Sequence, residues 1–276
     1  LKQYSEYYDT KTIKMYLTGN LQQRQWIVMS CPELALKPTP EGGLDYKLNM
    51  TQNLDGYPGY EHPLPIYPIY NEVVEMIAQS RTTVTPTMLV AYGGPFAENY
   101  YYATEEVYHN PKMQYYTPYE ELASKSRRRG GWFMPEEHVF PKHAEFINDL
   151  VMSGGLAGVG SHGQLQGLGY HWELWAMSSG GLYNLNSLRV ATILGAESLG
   201  LDGDLGSIEK GKIADLLLFE KNPLEDIKNT NTISHVVKNG RVYLAKDLSE
   251  VAPDVTPAPA PVWQSPKPER LPGIMK

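Results

Sequence analysis

Cysteine is almost absent from this chain. Cys31 is the only one in 276 residues, so no intrachain disulfide can form and the cysteine-rich zinc scaffolds are excluded. Long apolar runs are missing too. Those present, such as 216–219, have the length of a core strand and fall far short of the ~18 residues that a membrane-crossing helix needs. Positive charge is in deficit, with 24 Lys and Arg against 31 Asp and Glu, which argues against nucleic acid as a partner; Arg127-Arg128-Arg129 is the one local exception. There is no internal repeat, no GK[ST] and no G-x-G-x-x-G opening a helix, so nucleotide binding is discarded. The chain begins at Leu1 without a methionine or a signal-like segment and reads as a fragment or processed product, which leaves its compartment open between cytoplasmic and periplasmic or secreted.

What is present is the composition of a soluble globular protein, 42% hydrophobic and 20% charged, long enough for one large α/β domain or two smaller ones. A strand-like run over 12–17 is followed by a helix over about 21–31, with Trp26, Ile27 and Met29 available for an apolar face. The segment 35–43 carries Pro38 and Pro40 and makes a poor central strand. Next come a helix over 71–80, with Val73, Val74, Ile77 and Ala78 on one side, and a β-branched run over 82–92. This strand, helix, strand alternation implies parallel pairing in a barrel or doubly wound sheet.

Residues 93–135 interrupt the rhythm with Tyr100, Tyr101, Tyr102, Tyr115, Tyr116 and Tyr119. They read either as a lid over an active site, whose deletion over 97–130 would alter KM more than stability, or as a surface excursion packed by its own rings. An amphipathic helix over 136–153 places Phe140, Ala144, Ile147 and Val151 on one face. A helix over 184–199 ends at Gly200, and short strands over 213–219, 233–237 and 241–244 follow, the last two joined by Asn239-Gly240, a type I′ hairpin signal. Residues 201–250 thus form a small β subdomain. The tail 251–276, with Pro253, Pro257, Pro259, Pro261, Pro266, Pro268 and Pro272, favours an extended conformation. Asn49-Met50-Thr51 matches a glycosylation sequon.

The organising stretch is 155–175, GLAGVGSHGQLQGLGYHWELW: a buried strand with a polar tip at Ser161-His162, then a glycine-rich loop leading to His171-Trp172-Glu173. A histidine at the C-terminal end of a barrel strand points at the active site, although a lone histidine there is also read as a hydrogen-bonded structural residue.

Three further segments carry a resemblance: 205–216 (LGSIEKGKIADL), 222–227 (NPLEDI) and 237–242 (VKNGRV). With them the chain resembles the amidohydrolase superfamily, specifically the imidazolonepropionase-like or prolidase-like members of the type found fused to TolB-like propellers, over about residues 12–245, the C-terminal half of that fold. The resemblance implies an α/β architecture, the C-terminal part of a (β/α)8 TIM-type barrel over 1–200 plus the small β subdomain. It also implies metal ligands at strand ends. By order and spacing Lys14 falls at the strand-4 position, Glu41 at strand 5, 21 residues ahead of His62 at strand 6, and His162 at strand 8. The family's strand-5 histidine is thus a glutamate, its strand-8 aspartate a histidine, and its strand-1 His-x-His pair belongs to an N-terminal half.

The chemistry so implied is hydrolysis of an amide, cyclic amide or peptide-like C–N bond in a small-molecule or short peptide-like substrate, by water activated on a divalent metal, most simply one or two zinc ions held by Lys14, Glu41, His62 and His162. His162 is the candidate catalytic acid–base. Lys14 is a bridging ligand if carbamylated and otherwise a salt-bridge partner; Glu41 is a ligand or an exposed loop carboxylate. His171 and Glu173 are candidates for positioning the loop or binding substrate, while His109, His138, His143 and His235 lack a ligand pattern. The implied partner is the N-terminal half of the barrel, from the same gene or another chain, a homo-oligomer included. The alternative function is a non-catalytic amidohydrolase-like scaffold that has lost its metal chemistry.

Overall fold

The structure is a computed structural model and describes residues 1–8, 11–16, 19–42, 44–90, 93–127, 131–163, 165–261 and 263. Leu17, Gly43, Ala91, Tyr92, Arg128, Arg129, Pro266, Pro268 and Pro272, all used in the sequence reading, lie outside these residues.

Strands and helices alternate through the first half: α1 (Lys2–Tyr7), β1 (Thr12–Met15), α2 (Leu21–Ser30), β2 (Lys37–Pro40), α3 (Tyr46–Asp55), β3 (Gly59–Glu61), α4 (Asn71–Gln79) and β4 (Thr83–Thr85). Three helices intervene, α5 (Ala97–Thr104), α6 (Pro111–Tyr116) and α7 (Tyr119–Arg127), before α8 (Phe140–Met152) leads into β5 (Leu156–Ala157). All five strands run parallel: β1 pairs with β2, and β3–β4–β5 form a second ladder. Among the described residues the two ladders share one backbone bridge, a parallel one between Glu41 and Glu61.

The prolines of β2 explain that seam. Lys37 and Glu41 turn their N–H groups toward β1, donating to the Lys11 and Met15 carbonyls at 2.7 and 2.9 Å. Pro38 and Pro40 alternate with them, so the side facing β3 lacks their two donors. A proline-bearing segment thereby serves inside the arc, where the sequence alone suggested a weak strand.

Helix α8 carries its predicted stripe inward: Phe140, Ala144, Ile147 and Val151 are all buried. It packs on α9 (Leu168–Ser178), which is buried on nearly every side. Tyr101 of α5 stacks on Trp172 of α9 at 5.5 Å between centroids, and Tyr102 meets the same indole edge-on at 5.0 Å. The two tyrosines therefore belong to the core, so removing 97–130 would cost stability, contrary to the lid expectation.

Four other expectations are corrected. His171-Trp172-Glu173 lies within α9 rather than at the end of a loop. The helix over 184–199 is two, α10 (Asn184–Val190) and α11 (Ile193–Leu199), broken at Ala191-Thr192, while Gly200 supplies the left-handed cap at φ 72°. In α2 the buried residue is Arg24, whose Nε donates to Asp55 at 2.5 Å; Trp26 and Met29 face outward. Asn49 of the sequon is fully buried on α3, where no glycan can reach it.

Strands β6 (Leu216–Phe219), β7 (Ile233–Lys238), β8 (Arg241–Leu244) and β9 (Glu250–Ala252) form an antiparallel sheet. Asn239 and Gly240 turn β7 into β8 with φ 50° and 80°, the positive pair that a type I′ turn requires. Among the described residues no helix is long and apolar enough to cross a membrane.

Candidate active site

The five parallel strands point their C-terminal ends the same way, and four side chains named from sequence lie at that end. Lys14 sits near the end of β1, Glu41 just past β2, His62 just past β3, and His162 in the loop after β5. The Lys14 ammonium is 2.5 Å from Glu41 Oε2 and 2.7 Å from Glu61 Oε2. Glu41 Oε1 is 2.5 Å from His62 Nε2, and the His62 and His162 rings lie 5.5 Å apart.

A carboxylate only accepts, so His62 Nε2 carries the proton it shares with Glu41, while Nδ1 lies 2.5 Å from the Thr87 hydroxyl, which can donate to a bare Nδ1 or accept from Nδ1–H. Burial works against the charge of Glu41, but its bonds to Lys14 and His62 outweigh burial and hold its pKa below the ordinary carboxylate value. Burial likewise disfavours the Lys14 ammonium, and its two carboxylate partners reverse that and raise its pKa. His62 is buried, whereas His162 is exposed at the mouth.

Backbone strain gathers at the same place. His62, Thr87 and His162 all have positive φ, at 71°, 49° and 52°, a region costly for residues with a Cβ and most of all for a β-branched threonine. The glycines of the loop after β5 permit close approach. A Cβ on Gly160 would lie 3.0 Å from Thr87 Cγ2, and one on Gly163 would lie 2.7 Å from Leu89 Cδ1.

Two members of the cluster escaped the sequence reading. Glu61 stands beside His62, and strict strand alternation would send the two side chains to opposite faces; the left-handed turn at His62 lets both serve the mouth. Thr87 carries no motif, and only its place just past β4 could have flagged it. His171 and Glu173 do not join the cluster. His171 Nδ1 is 3.2 Å from Thr230 Oγ1, and burial, then Lys112, lowers its pKa to about 4. Glu173 is wholly buried and accepts the backbone N–H groups of Met88 and Leu89 at 2.6 and 2.9 Å. Of the two tasks considered from sequence for this residue, its bonds are those of holding a loop.

The donor types at the mouth, carboxylates of Glu41 and Glu61 and imidazoles of His62 and His162, suit a divalent cation. At present Lys14 pairs with both carboxylates and Glu41 with His62, and no three His, Cys, Asp or Glu side chains among the described residues form a metal-holding group. A cavity of about 360 Å³, lined by Lys37, Tyr57, Arg81 and Glu197 among others, opens at the amino ends of the strands, away from this chemistry.

Residues 151–243 match the amidohydrolase family. That match takes in 93 of the 276 residues, about a third of the chain. Ochratoxinase of Aspergillus niger is 34% identical to this chain over 73 residues, 25% of the chain and 15% of the relative. A Xaa-Pro dipeptidase with methionine bound in its active site superposes with a TM-score of 0.60 at 19% identity, covering 88% of this chain and 56% of that one. Molinate hydrolase gives 0.61 at 18%, covering 90% and 54%. The chain thus spans little more than half the length of these structures, and its five strands are part of a (β/α)8 barrel.

Proposed function

We propose that this chain is the C-terminal part of a metal-dependent hydrolase acting on amide or peptide-like C–N bonds. The observation that carries the reading is the convergence of Lys14, Glu41, His62 and His162, drawn from four strand ends, on one mouth of a parallel arc. In a βα barrel that end is where catalysis is built. Kinship with named hydrolases of such bonds supports it.

Glu41, His62 and His162 are the side chains that would hold the cation, with Lys14 beside them. A bound divalent metal lowers the pKa of water and polarises the scissile carbonyl. Without a cation Glu41 holds the Nε2 proton of His62 and keeps the ring facing the mouth; a cation bound at Nε2 would take the place of that proton. Where it does not ligate the cation, the exposed His162 imidazole would take the proton of the attacking water and return it to the leaving nitrogen. Lys14 neutralises Glu41 and Glu61, and thereby sets the net charge that a substrate meets.

Further strands would complete the ring. Among the described residues β1 pairs on one side only, with β2, and β5 on one side only, with β4. An N-terminal half from the same gene or a second chain would cover these edges.

A second reading, a scaffold without metal chemistry, is favoured by the ion pairs of Lys14, which leave both carboxylates partnered by an ammonium. Metal analysis of the full-length protein, with a panel of dipeptides, N-acyl amino acids and aryl amides, separates the two. One or more tightly held transition metals per chain, with turnover lost on chelation and restored by metal, is the expected result. Substoichiometric metal with no hydrolysis would establish the scaffold.

A further inference from the structure

Glu173 is an ionisable side chain in the wrong place for ordinary packing. It sits in the middle of α9, is completely buried, and is surrounded along its helix by the buried Trp172, Leu174, Trp175, Ala176 and Met177. A buried carboxylate is costly unless each oxygen is satisfied. Here both are, by N–H groups from a different part of the chain. Met88 donates to Oε1 at 2.6 Å and Leu89 to Oε2 at 2.9 Å.

Those two amides open the short 3-10 turn Met88–Val90, which begins immediately after Thr87. The Thr87 carbonyl accepts the Val90 N–H at 3.0 Å and closes the turn. Such a turn leaves its first amides without internal partners, and Glu173 supplies them from outside. Thr87 itself is held at φ 49°, a conformation that a free threonine would leave. From there its hydroxyl reaches His62 Nδ1 at 2.5 Å, while His62 Nε2 faces Glu41. The same turn abuts the loop that carries His162, through Gly160 against Thr87 and Gly163 against Leu89.

We infer that Glu173 is a positioning residue of the active site: its carboxyl group clamps the 87–90 turn so that the Thr87 hydroxyl fixes the His62 ring and the glycine loop of His162 has a rigid floor. The inference rests on the assignment of the mouth as the reactive site. Thr87 is suited to the task because a hydroxyl rotates. It donates to Nδ1 when Nε2 carries the proton, and it accepts from Nδ1–H when Nε2 is a bare donor. Valine, of the same shape, does neither.

The test needs neither substrate nor metal. The full-length protein is labelled at the histidine ring nitrogens, and His62 is assigned by the loss of its signals in H62Q. In E173Q the His62 Nδ1 resonance shifts away from its hydrogen-bonded position although residue 173 does not touch that ring, while the amide signals of Val84 and Leu156 stay in place. T87V gives the same His62 shift and T87S restores the native position. Unchanged His62 signals in E173Q overturn the role of Glu173, and unchanged signals in T87V overturn the link through Thr87. If E173Q does not fold, wild-type hydrogen exchange decides the clamp. Protection of the Met88 and Leu89 amides equal to that of Val84 supports it, and exchange at the rate of the exposed loop at Gly203 overturns it. A chain that passes these tests but hydrolyses nothing would keep the positioning network and lose the hydrolase assignment. An active enzyme with an indifferent His62 would do the reverse.

Discussion

The imidazole of His62 and the carboxylate of Glu41, 21 residues apart in sequence, share a proton across 2.5 Å at the seam between two parallel ladders. The same carboxylate holds the Lys14 ammonium on its other oxygen. The seam that the prolines of β2 leave thin is closed by side chains, at the end of the arc where the chemistry is expected.

Replacing Glu41 by glutamine removes one charge from this network and leaves Lys14 with Glu61 alone. If Glu41 orients His62 or binds the cation, kcat/KM of the full-length enzyme should fall by about 10- to 100-fold, the usual effect of losing such a partner. Metal content measured on the same preparation tells whether binding or orientation was lost.

The buried carboxyl of Glu173 makes stability depend on pH in a definite direction. Burial, opposed by the two amide bonds, raises its pKa from 4.5 to about 8 in the folded state. The folded protein therefore holds a proton that the unfolded chain has released, and stability should decline as pH rises from about 4.5 toward 8, then level off. Urea midpoints across that range should show the slope in wild type and not in E173Q.

His171 acts with the opposite sign. Burial first, and Lys112 second, lower its pKa from 6.5 to about 4, so the folded state keeps the ring neutral where the unfolded chain protonates it. Stability should fall as pH drops from 6.5 toward 4, by an amount on the order of 3 kcal/mol at most. Between 4.5 and 6.5 this slope opposes that of Glu173, and comparing H171Q with wild type isolates it.

Deleting 97–130 should destabilise the protein rather than loosen a lid, because Tyr101, Tyr102, Met113 and Leu122 leave the core with it. Trp172→Ala, which removes the indole on which two of these rings pack, should cost roughly 3–5 kcal/mol, measured by denaturant unfolding.

Several elements were legible in advance because local pattern specifies them. The stripe of α8 and the Asn239-Gly240 hairpin depend on periodicity and turn chemistry alone. Helix α2 misled for the converse reason: Trp26 and Met29 look like core, yet the residue buried there is Arg24, which pairs with Asp55 of α3, a contact that sequence does not display.

The sequence by itself determined the alternation of strands and helices, the likeness of 205–242 to the amidohydrolase superfamily, and the strand-end positions of Lys14, Glu41, His62 and His162. Only the tertiary structure decided that Lys14 binds both Glu41 and Glu61, that Thr87 joins Glu41 in holding His62, and that Glu173 turns inward to the Met88 and Leu89 amides. The physical reason is one of range. Periodicity and turn propensity are carried by neighbouring residues, whereas these bonds join groups 20 to 85 residues apart. They depend on strand register and on left-handed backbone at His62, Thr87 and His162, which no local pattern of side chains imposes.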